Sequence, residues 1–191
     1  MLVKSCNQKY PKASFQVVDI SEINLLGSRK YDFAFFSFNG IDCLTAAQRS
    51  QFLLGLADVL TPGGAFLFCS HNYYQAQLNL SFRDTLQREF LALIGERAYT
   101  PRKIYHFSSS LWRYYYRSSL QLNGLDCAFL LDRAQGYREL YAWIKPEKQI
   151  QDPEQAGFEI LKLYSWHGNP IQLGDPGLRD SPSVYYLCKT S

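Results

Sequence analysis

Residues 31–42 read YDFAFFSFNGID, and this stretch decides the fold. Four of the seven residues from Phe33 to Asn39 are phenylalanine, and the run then stops on Asn39, Gly40 and Asp42. An apolar run that barely alternates is typical of a strand buried on both faces, as in a parallel sheet covered by helices. The sequence therefore predicts a buried strand over residues 33–38 that ends in a polar elbow.

Two further apolar runs predict two more strands. They are FQVV at residues 15–18 and AFLFC at residues 65–69, and turn-forming residues bound both. A helix is predicted between the second and third strands, because Thr45 and Gln48 have the spacing of a capping box. The TPGG segment at residues 61–64 is expected to end that helix. Such a strand–helix–strand unit joins parallel strands.

Each of these three strands is followed by polar residues. Asp19 follows the first strand, Asn39 and Asp42 follow the second, and Ser70-His71-Asn72 follows the third. Open α/β sheets bind their ligands beyond the carboxyl ends of their strands, and Gly40 would let the backbone come close to a ligand. Capping and turn formation explain any one of these residues alone, but three polar ends in register favour a site.

The remainder of the chain is less regular. We predict a helix over residues 74–97, one or two strands within 104–120, a short helix near 147–156, and strands at Phe158–Trp166 and Val184–Cys188. The segment LWRYYYRSS at 111–119 mixes arginine with aromatic residues that could stack on bases. On a strand, however, Trp112, Tyr114 and Tyr116 would share one face, so packing over the domain is the simpler interpretation.

Composition restricts the possible functions. The 191 residues have the length of one domain, and 47% apolar with 19% charged residues indicates a globular chain. A net charge of +3 gives no field that would attract nucleic acid or an anionic membrane. The sequence shows neither an apolar run long enough to span a bilayer nor a signal peptide, and its cysteines indicate a reducing compartment; a cytoplasmic protein is therefore predicted. The five scattered cysteines are expected to be free thiols, and a zinc site is not expected.

Taken together, these segments resemble the class I S-adenosylmethionine-dependent methyltransferases. YDFAFFSFNGID followed by QFLLGLADVLTPGGAFLFCSHN resembles the family's fourth strand, its polar turn, and the "vLkPGG" motif before the fifth strand. QAGFEILKLYSW and SPSVYYLCK resemble the family's last two strands. The resemblance implies an α/β, Rossmann-like fold with a mostly parallel sheet, helices on both faces, and an antiparallel C-terminal hairpin, all within a single domain at 1–191.

The resemblance also implies where the cofactor, S-adenosylmethionine, would lie. Asp19 and Ile20 match positions that border the adenine, and Ser37, Phe38 and Asn39 match the turn under the methionine moiety. The family's G-x-G-x-G loop and the acidic residue that binds the ribose are not in the sequence. We therefore expect an N-terminally truncated member of the fold that binds S-adenosylmethionine weakly or not at all, and that self-associates through an exposed sheet edge.

The implied function is methyl transfer to a small-molecule acceptor. By resemblance, residues 73–145 form a lid or substrate insertion, and the acceptor is expected near His71, Asn72, Trp112 and Tyr114. Methyl transfer needs mainly alignment of the reactants, so the sequence names no catalytic acid or base. A structural role for His71 is equally open, because the sequence shows no acidic partner for it. The alternative is a non-catalytic scaffold or partner-binding module that has lost the cofactor loop.

Overall fold

The computed structural model describes residues 2–20, 22–23, 30–79, 82–94 and 100–191. In chain order its helices and strands are α1 (Leu2–Lys9), β1 (Tyr31–Phe36), α2 (Ala46–Val59), β2 (Leu60–His71), α3 (Phe82–Ile94), α4 (Pro101–Arg117), β3 (Leu122–Asn123), β4 (Cys127–Leu131), β5 (Leu140–Ile144), α5 (Pro146–Gln149), α6 (Gln151–Gln155), β6 (Phe158–Ser165), β7 (Pro170–Ile171), α7 (Pro176–Asp180) and β8 (Ser183–Thr190). Short 3-10 helices occupy Gly40–Cys43, Tyr73–Asn79 and Ser118–Leu120.

The main sheet has the strand order β1-β2-β8-β6-β7. Strands β1 and β2 are parallel, as predicted for a strand–helix–strand unit, whereas β8 pairs antiparallel with both β2 and β6, and β7 pairs antiparallel with β6. The α/β class and the C-terminal antiparallel hairpin are thus confirmed. A mostly parallel sheet is not seen among the described residues, because β1 and β2 form the one parallel pair there.

Helix α2 begins and ends where its sequence signals predict. The Thr45 hydroxyl accepts a hydrogen bond from the Gln48 backbone N–H, and the Gln48 side chain accepts one from the Thr45 N–H, which completes the capping box. Strand β2 starts directly after Val59 and takes in the TPGG segment. There Gly63 has φ +73°, and a Cβ at Gly64 would lie 2.8 Å from the Thr61 carbonyl oxygen, so both positions favour glycine.

One hydrophobic core lies between α2 and the main sheet. Its largest members come from α2, β2, β6 and β8: Phe52, Leu53, Leu56, Phe66, Phe68, Phe158, Val184 and Tyr186. Aromatic rings stack through this core, with the Phe66 and Phe68 centroids 5.1 Å apart and those of Phe68 and Tyr186 4.8 Å apart. The sheet is therefore held rigid behind the strand ends that form the site.

Residues 73–144 lie between β2 and the last helices and contain a second, three-stranded antiparallel sheet in the order β3-β4-β5. The predicted strands within 104–120 are wrong, because α4 spans most of that segment. Thr100 caps the helix, Pro101 occupies its first turn, and Phe107, Leu111 and Tyr114 recur on its inner face at helical spacing. These start signals prevail over the strand propensity of the aromatic residues.

The predicted helix over 74–97 is confirmed in its centre as α3, and a 3-10 helix precedes it. Its residues 80–81 and 95–97 lie outside the described part of the chain. The predicted helix near 147–156 is confirmed as the short pair α5 and α6, and the two predicted tail strands are confirmed as β6 and β8.

The predicted strand at residues 15–18 is wrong. The segment is extended, but no strand pairs with it among the described residues, and Val17 is 88% exposed. A strand is stabilised by its inter-strand hydrogen bonds, so β-forming residues with no neighbour in a sheet remain irregular.

Strand β1 consequently lies at the edge of the main sheet, as the missing neighbour implied. Its Ala34 and Phe36 side chains pack against the core, while Phe33 and Phe35 are more than half exposed. An apolar edge strand of this kind is a template for pairing with another chain. Within the described residues, no helix combines the length and apolar character needed to cross a membrane.

We predict that the protein self-associates through β1. Phe33→Lys should reduce this association, because a charged side chain on an edge strand opposes pairing with a second copy. Static light scattering at increasing protein concentration measures the effect. Phe90→Lys is the matched control, since Phe90 is equally exposed but lies on α3. A wild-type protein that stays monomeric at high concentration would contradict the prediction.

Candidate functional site

A pocket of about 330 Å³ opens at the edge of the main sheet where β1 and β2 end. Because β8 runs antiparallel to β2, and β6 antiparallel to β8, the start of β8 and the end of β6 reach the same edge. One wall is formed by Phe35, by the elbow residues 37–39 after β1, and by Cys69 and His71 of β2. The volume lies within the usual range for small-molecule sites.

An aromatic wall with one carboxylate adjoins these residues, because Tyr185 pairs directly with Cys69 in the sheet. Tyr141 of β5, Trp166 after β6 and Tyr185 of β8 line it together with Asp132, which belongs to the turn between β4 and β5. Trp166 and Tyr185 stack with their centroids 6.3 Å apart. No lysine or arginine is among the described lining residues. The pocket therefore suits a flat or positively charged ligand.

The elbow after β1 has an uncommon backbone. Phe38 and Asn39 are consecutive residues with φ +56° and +54°, which is the left-handed region that favours glycine. The Phe38 side chain is also 94% exposed, so packing does not compensate for the backbone strain. Strain of this kind in a bulky residue is characteristic of functional sites. The elbow carries Ser37, Phe38 and Asn39 into the pocket, where sequence analysis had placed the methionine moiety of a cofactor.

Gly40 has a different role from the one that its sequence position suggests. A Cβ atom at this position would lie 2.4 Å from the Phe36 ring. The glycine therefore makes room for a core aromatic ring beneath the elbow, and a ligand does not approach through this space.

The Asp42 carboxylate is the buried centre of the site. It is 2% exposed and accepts three hydrogen bonds: from the Ser70 hydroxyl at 2.6 Å, from the His71 backbone N–H at 2.7 Å, and from His71 Nδ1 at 2.8 Å. Burial raises the pKa of Asp42, and the hydrogen bonds from His71 and Ser70 oppose that rise. Asp42 thus provides the acidic partner that sequence analysis could not identify for His71.

The His71 ring is held from every side. Its face stacks on Trp143 with centroids 4.5 Å apart, and Tyr141 meets it edge-on at 5.6 Å. Since Nδ1–H is donated to Asp42, Nε2 is the free acceptor, and it takes a hydrogen bond from the Asn39 side-chain amide at 3.0 Å. The same amide nitrogen also donates to the Ser183 hydroxyl at 3.2 Å. An imidazole acceptor of fixed tautomer therefore faces the pocket.

The thiol that lines the pocket is not suited to nucleophilic chemistry. Burial raises the pKa of Cys69 to about 12, and the negative charge of Asp42 adds to that effect. The thiolate is the reactive form of cysteine, so Cys69 stays inert near neutral pH.

The structure brings some of the sequence-predicted site residues together and separates others. Ser37, Phe38, Asn39 and His71 share the pocket. Asp19 and Ile20 do not line it; Asp19 is on the surface, and Ile20 packs against the hydrophobic core.

Three predicted acceptor-site residues lie away from this pocket. Asn72 is fully buried and donates to the backbone carbonyls of Leu178 and Ser181, so it anchors the segment before β8. Trp112 and Tyr114 lie on α4: Trp112 is 62% exposed, and Tyr114 is buried against the Tyr137 ring. Among the described residues, neither lines the pocket beside His71.

Sequence analysis did not identify Tyr141, Trp166, Tyr185 or Asp132 as site residues. Trp166 and Tyr185 were assigned to strands, and their positions at a strand end and a strand start were the available signal. Tyr141 lies on β5 and Asp132 lies in the turn of the β4–β5 hairpin, whose position over the main sheet is set by tertiary packing.

Comparison with solved structures identifies the fold. A methyltransferase dependent on S-adenosylmethionine from Clostridium acetobutylicum superposes with a TM-score of 0.56 at 12% identity, over 100% of this chain and 71% of that one. The CcbJ methyltransferase from Streptomyces caelestis gives 0.55 at 12% identity over the same shares. The chain has the S-adenosylmethionine-dependent methyltransferase fold. No protein-family model and no curated protein matches the sequence.

A third structure with this methyltransferase fold contains two bound ligands. The 1,6-didemethyltoxoflavin-N1-methyltransferase from Burkholderia thailandensis, solved with 1,6-didemethyltoxoflavin and S-adenosylhomocysteine, has a TM-score of 0.53 at 10% identity. The alignment covers 98% of this chain and 56% of that one. At such identities the likeness establishes the fold, and the residues of the pocket must carry any statement about function.

The strain at Phe38 can be measured directly. Phe38→Gly should stabilise the protein by about 0.5–1 kcal/mol, because glycine adopts the left-handed region without the steric cost, less its own loss of chain entropy. Urea unfolding gives the free energy. Val17→Gly is the control, since Val17 is equally solvent-exposed but has no positive φ. A destabilised Phe38→Gly protein would show that the elbow is not strained.

A further prediction concerns Asp42. Asp42→Ala should destabilise the fold by about 3 kcal/mol or more, because Ser70 and the His71 N–H groups lose their acceptor in a buried environment. Asp42→Asn should cost far less, since the amide oxygen can accept from His71 while the amide nitrogen donates to the Ser70 hydroxyl. Asp32→Ala, at the surface of β1, is the control and should change the unfolding free energy least. Equal losses for Asp42→Ala and Asp42→Asn would instead indicate that the charge itself stabilises the fold.

Proposed function

We propose that the protein transfers a methyl group from S-adenosylmethionine to a small-molecule acceptor. The observation that carries the proposal is the juxtaposition of the strained Ser37–Asn39 elbow with the His71 ring in one pocket, on the methyltransferase fold. The elbow supplies the cofactor side of this pocket, and His71 with the aromatic wall supplies the acceptor side.

The chemistry of the pocket fits a sulfonium cofactor. A sulfonium carries a positive charge, which aromatic faces and carboxylates attract and basic side chains repel. The lining offers Phe35, Tyr141, Trp166 and Asp132, with no lysine or arginine among the described residues. When bound, S-adenosylmethionine supplies an electrophilic methyl group. The residues at 37–39 would hold its amino-acid end, and the aromatic wall would exclude water from the transfer.

The chain provides only part of the contacts that the resemblance implies. The G-x-G-x-G pattern and the acidic ribose ligand are not in its sequence. Each lost hydrogen bond to a charged group costs roughly 1.5–3 kcal/mol, and two or three such losses weaken binding by about 10³-fold or more. Because enzymes commonly bind their substrates in the micromolar to millimolar range, we expect this chain to bind the cofactor only at millimolar concentration or above.

The insertion at residues 73–145 is proposed as the cover of the acceptor site. Support comes from the turn between β4 and β5, which brings Asp132, Ala134 and Gln135 to the pocket, and from Trp143 and Tyr141 against the His71 ring. A small-molecule acceptor agrees with the size of the pocket.

Backbone amide NMR spectra test the cofactor site. Titration with millimolar S-adenosylmethionine should shift the amide signals of residues 35–39 and 71. At a ligand concentration near the dissociation constant, the stabilisation is about 0.4 kcal/mol, so the melting temperature should rise by only about 1–2 °C.

A matched pair of variants completes this test. Asn39→Ala should weaken the amide shift changes, whereas Asn123→Ala, on β3 and outside the pocket lining, should leave them unchanged. Shift changes that cluster elsewhere, for example in the groove between α3 and α4, would contradict the proposed site. So would the absence of any change at the elbow.

A further inference from the structure

We infer that His71 is the proton acceptor of the pocket and that the methyl acceptor is an aromatic compound that reacts through a ring hydroxyl. The inference rests on the proposed function for the transfer itself, and it assigns the substrate class and a catalytic residue. It depends on three features of the structure: how His71 is held, what faces its Nε2 atom, and what lines the space beyond.

The first feature is the support behind His71. The Asp42 carboxylate accepts Nδ1–H at 2.8 Å, and the backbone N–H of the same histidine binds the same oxygen at 2.7 Å. A base oriented by a buried carboxylate keeps one tautomer, and the carboxylate stabilises the imidazolium that forms when Nε2 gains a proton. Asp42 acts through His71, so it is a positioning residue.

The second feature is the Asn39 amide at Nε2. Its nitrogen donates to His71 Nε2 at 3.0 Å and to the Ser183 hydroxyl at 3.2 Å, while its oxygen is buried and accepts no hydrogen bond from the described residues. A half-turn of the amide would place that oxygen on a protonated Nε2–H. The Asn39 side chain can therefore hydrogen-bond to both protonation states of the imidazole. An incoming hydroxyl can replace the Asn39 N–H as the donor to Nε2.

The third feature is the set of other titratable groups that face the ring and the pocket. These are Asp42, Tyr141, Cys69, Tyr185 and Asp132. Burial raises the pKa of Tyr141, Tyr185 and Cys69, so these three stay protonated near neutral pH. Asp132 accepts a hydrogen bond from the Ala134 backbone N–H in its own turn. His71 Nε2 is the remaining nitrogen base among the described lining residues.

This arrangement favours a hydroxyl over an amine. A neutral amine already has the electron pair with which it attacks, whereas a hydroxyl becomes a strong nucleophile only as its proton leaves. Rings at Tyr141, Trp166 and Tyr185 would stack on a flat acceptor and hold its hydroxyl toward His71.

The hydroxyl proton passes to His71 Nε2, and the hydroxyl oxygen forms a bond to the methyl carbon. The bond from that carbon to the sulfonium sulfur breaks, and its electron pair stays on sulfur. The products are a methyl ether, a neutral thioether and a protonated imidazole, which returns its proton to water.

The test uses para-nitrophenol, whose phenolate is coloured, and requires no cofactor. An imidazolium beside a bound phenolate favours the ionised form by about one pKa unit or more. At a pH about one unit below the pKa of the free probe, the bound probe should therefore show a several-fold larger phenolate absorbance per molecule. His71→Gln should abolish the increase, and Asp42→Asn should reduce it. His106→Gln, on the exposed surface of α4, should leave it unchanged.

A second measurement needs no variant. The ¹⁵N spectrum of labelled histidine in the wild-type protein should show Nε2 of His71 changing from acceptor to protonated nitrogen when the probe binds. A probe that binds as neutral phenol, a probe that does not bind, or an unchanged His71 signal would each overturn the inference. These outcomes are independent of the cofactor titration, so ionisation without cofactor binding would count against the proposed function alone. Methyl transfer that is undiminished in His71→Gln would count against the inference alone.

Discussion

The buried Asp42 carboxylate is the constraint on which the site depends. A carboxylate can only accept hydrogen bonds, and out of contact with water it must be matched by donors. Its donors come from the last two residues of β2, so the 3-10 helix after β1 has to lie against the end of β2. The chain must therefore turn sharply between Phe36 and Gly40. The left-handed conformations of Phe38 and Asn39 are the local cost of that turn, and the position of Asn39 at His71 follows from it.

The main sheet provides the rigid support behind the site. The parallel pair β1–β2 brings two carboxyl ends to one edge, and the antiparallel hairpin of β6 and β8 brings Trp166 and Tyr185 to that edge from the other side. Stacked rings of the core lie directly beneath these strand ends. The functional groups thus extend from rigid elements, while the β4–β5 turn closes the pocket from above.

Local signals in the sequence were sufficient to predict the helices and strands that contain them. The Thr45–Gln48 capping box, the TPGG segment and the apolar runs of β1 and β2 predicted the strand–helix–strand unit. The polar ends of those strands predicted Asn39 and His71 as neighbours, and the family resemblance added Ser37 and Phe38. The prediction for residues 104–120 was wrong for the opposite reason: their aromatic residues favour strands, and the Thr100–Pro101 start signal lies just before this segment. The prediction of a strand at 15–18 was wrong because a strand needs a neighbouring strand to pair with, which the sequence pattern alone does not reveal.

The partnership of Asp42 and His71 shows where sequence analysis reaches its limit. Both residues were recognised as polar ends of strands, yet 28 residues and a helix lie between them, and only the parallel pairing of β1 with β2 brings them into contact. Once the contact is made, it changes the chemistry of both groups, because the carboxylate fixes the tautomer of the ring and the ring supplies donors to the carboxylate. Methyl transfer requires little from a protein beyond alignment of the reactants. A histidine held in this way is consequently not demanded by the transfer itself; it is explained when the acceptor arrives with a proton that must be removed.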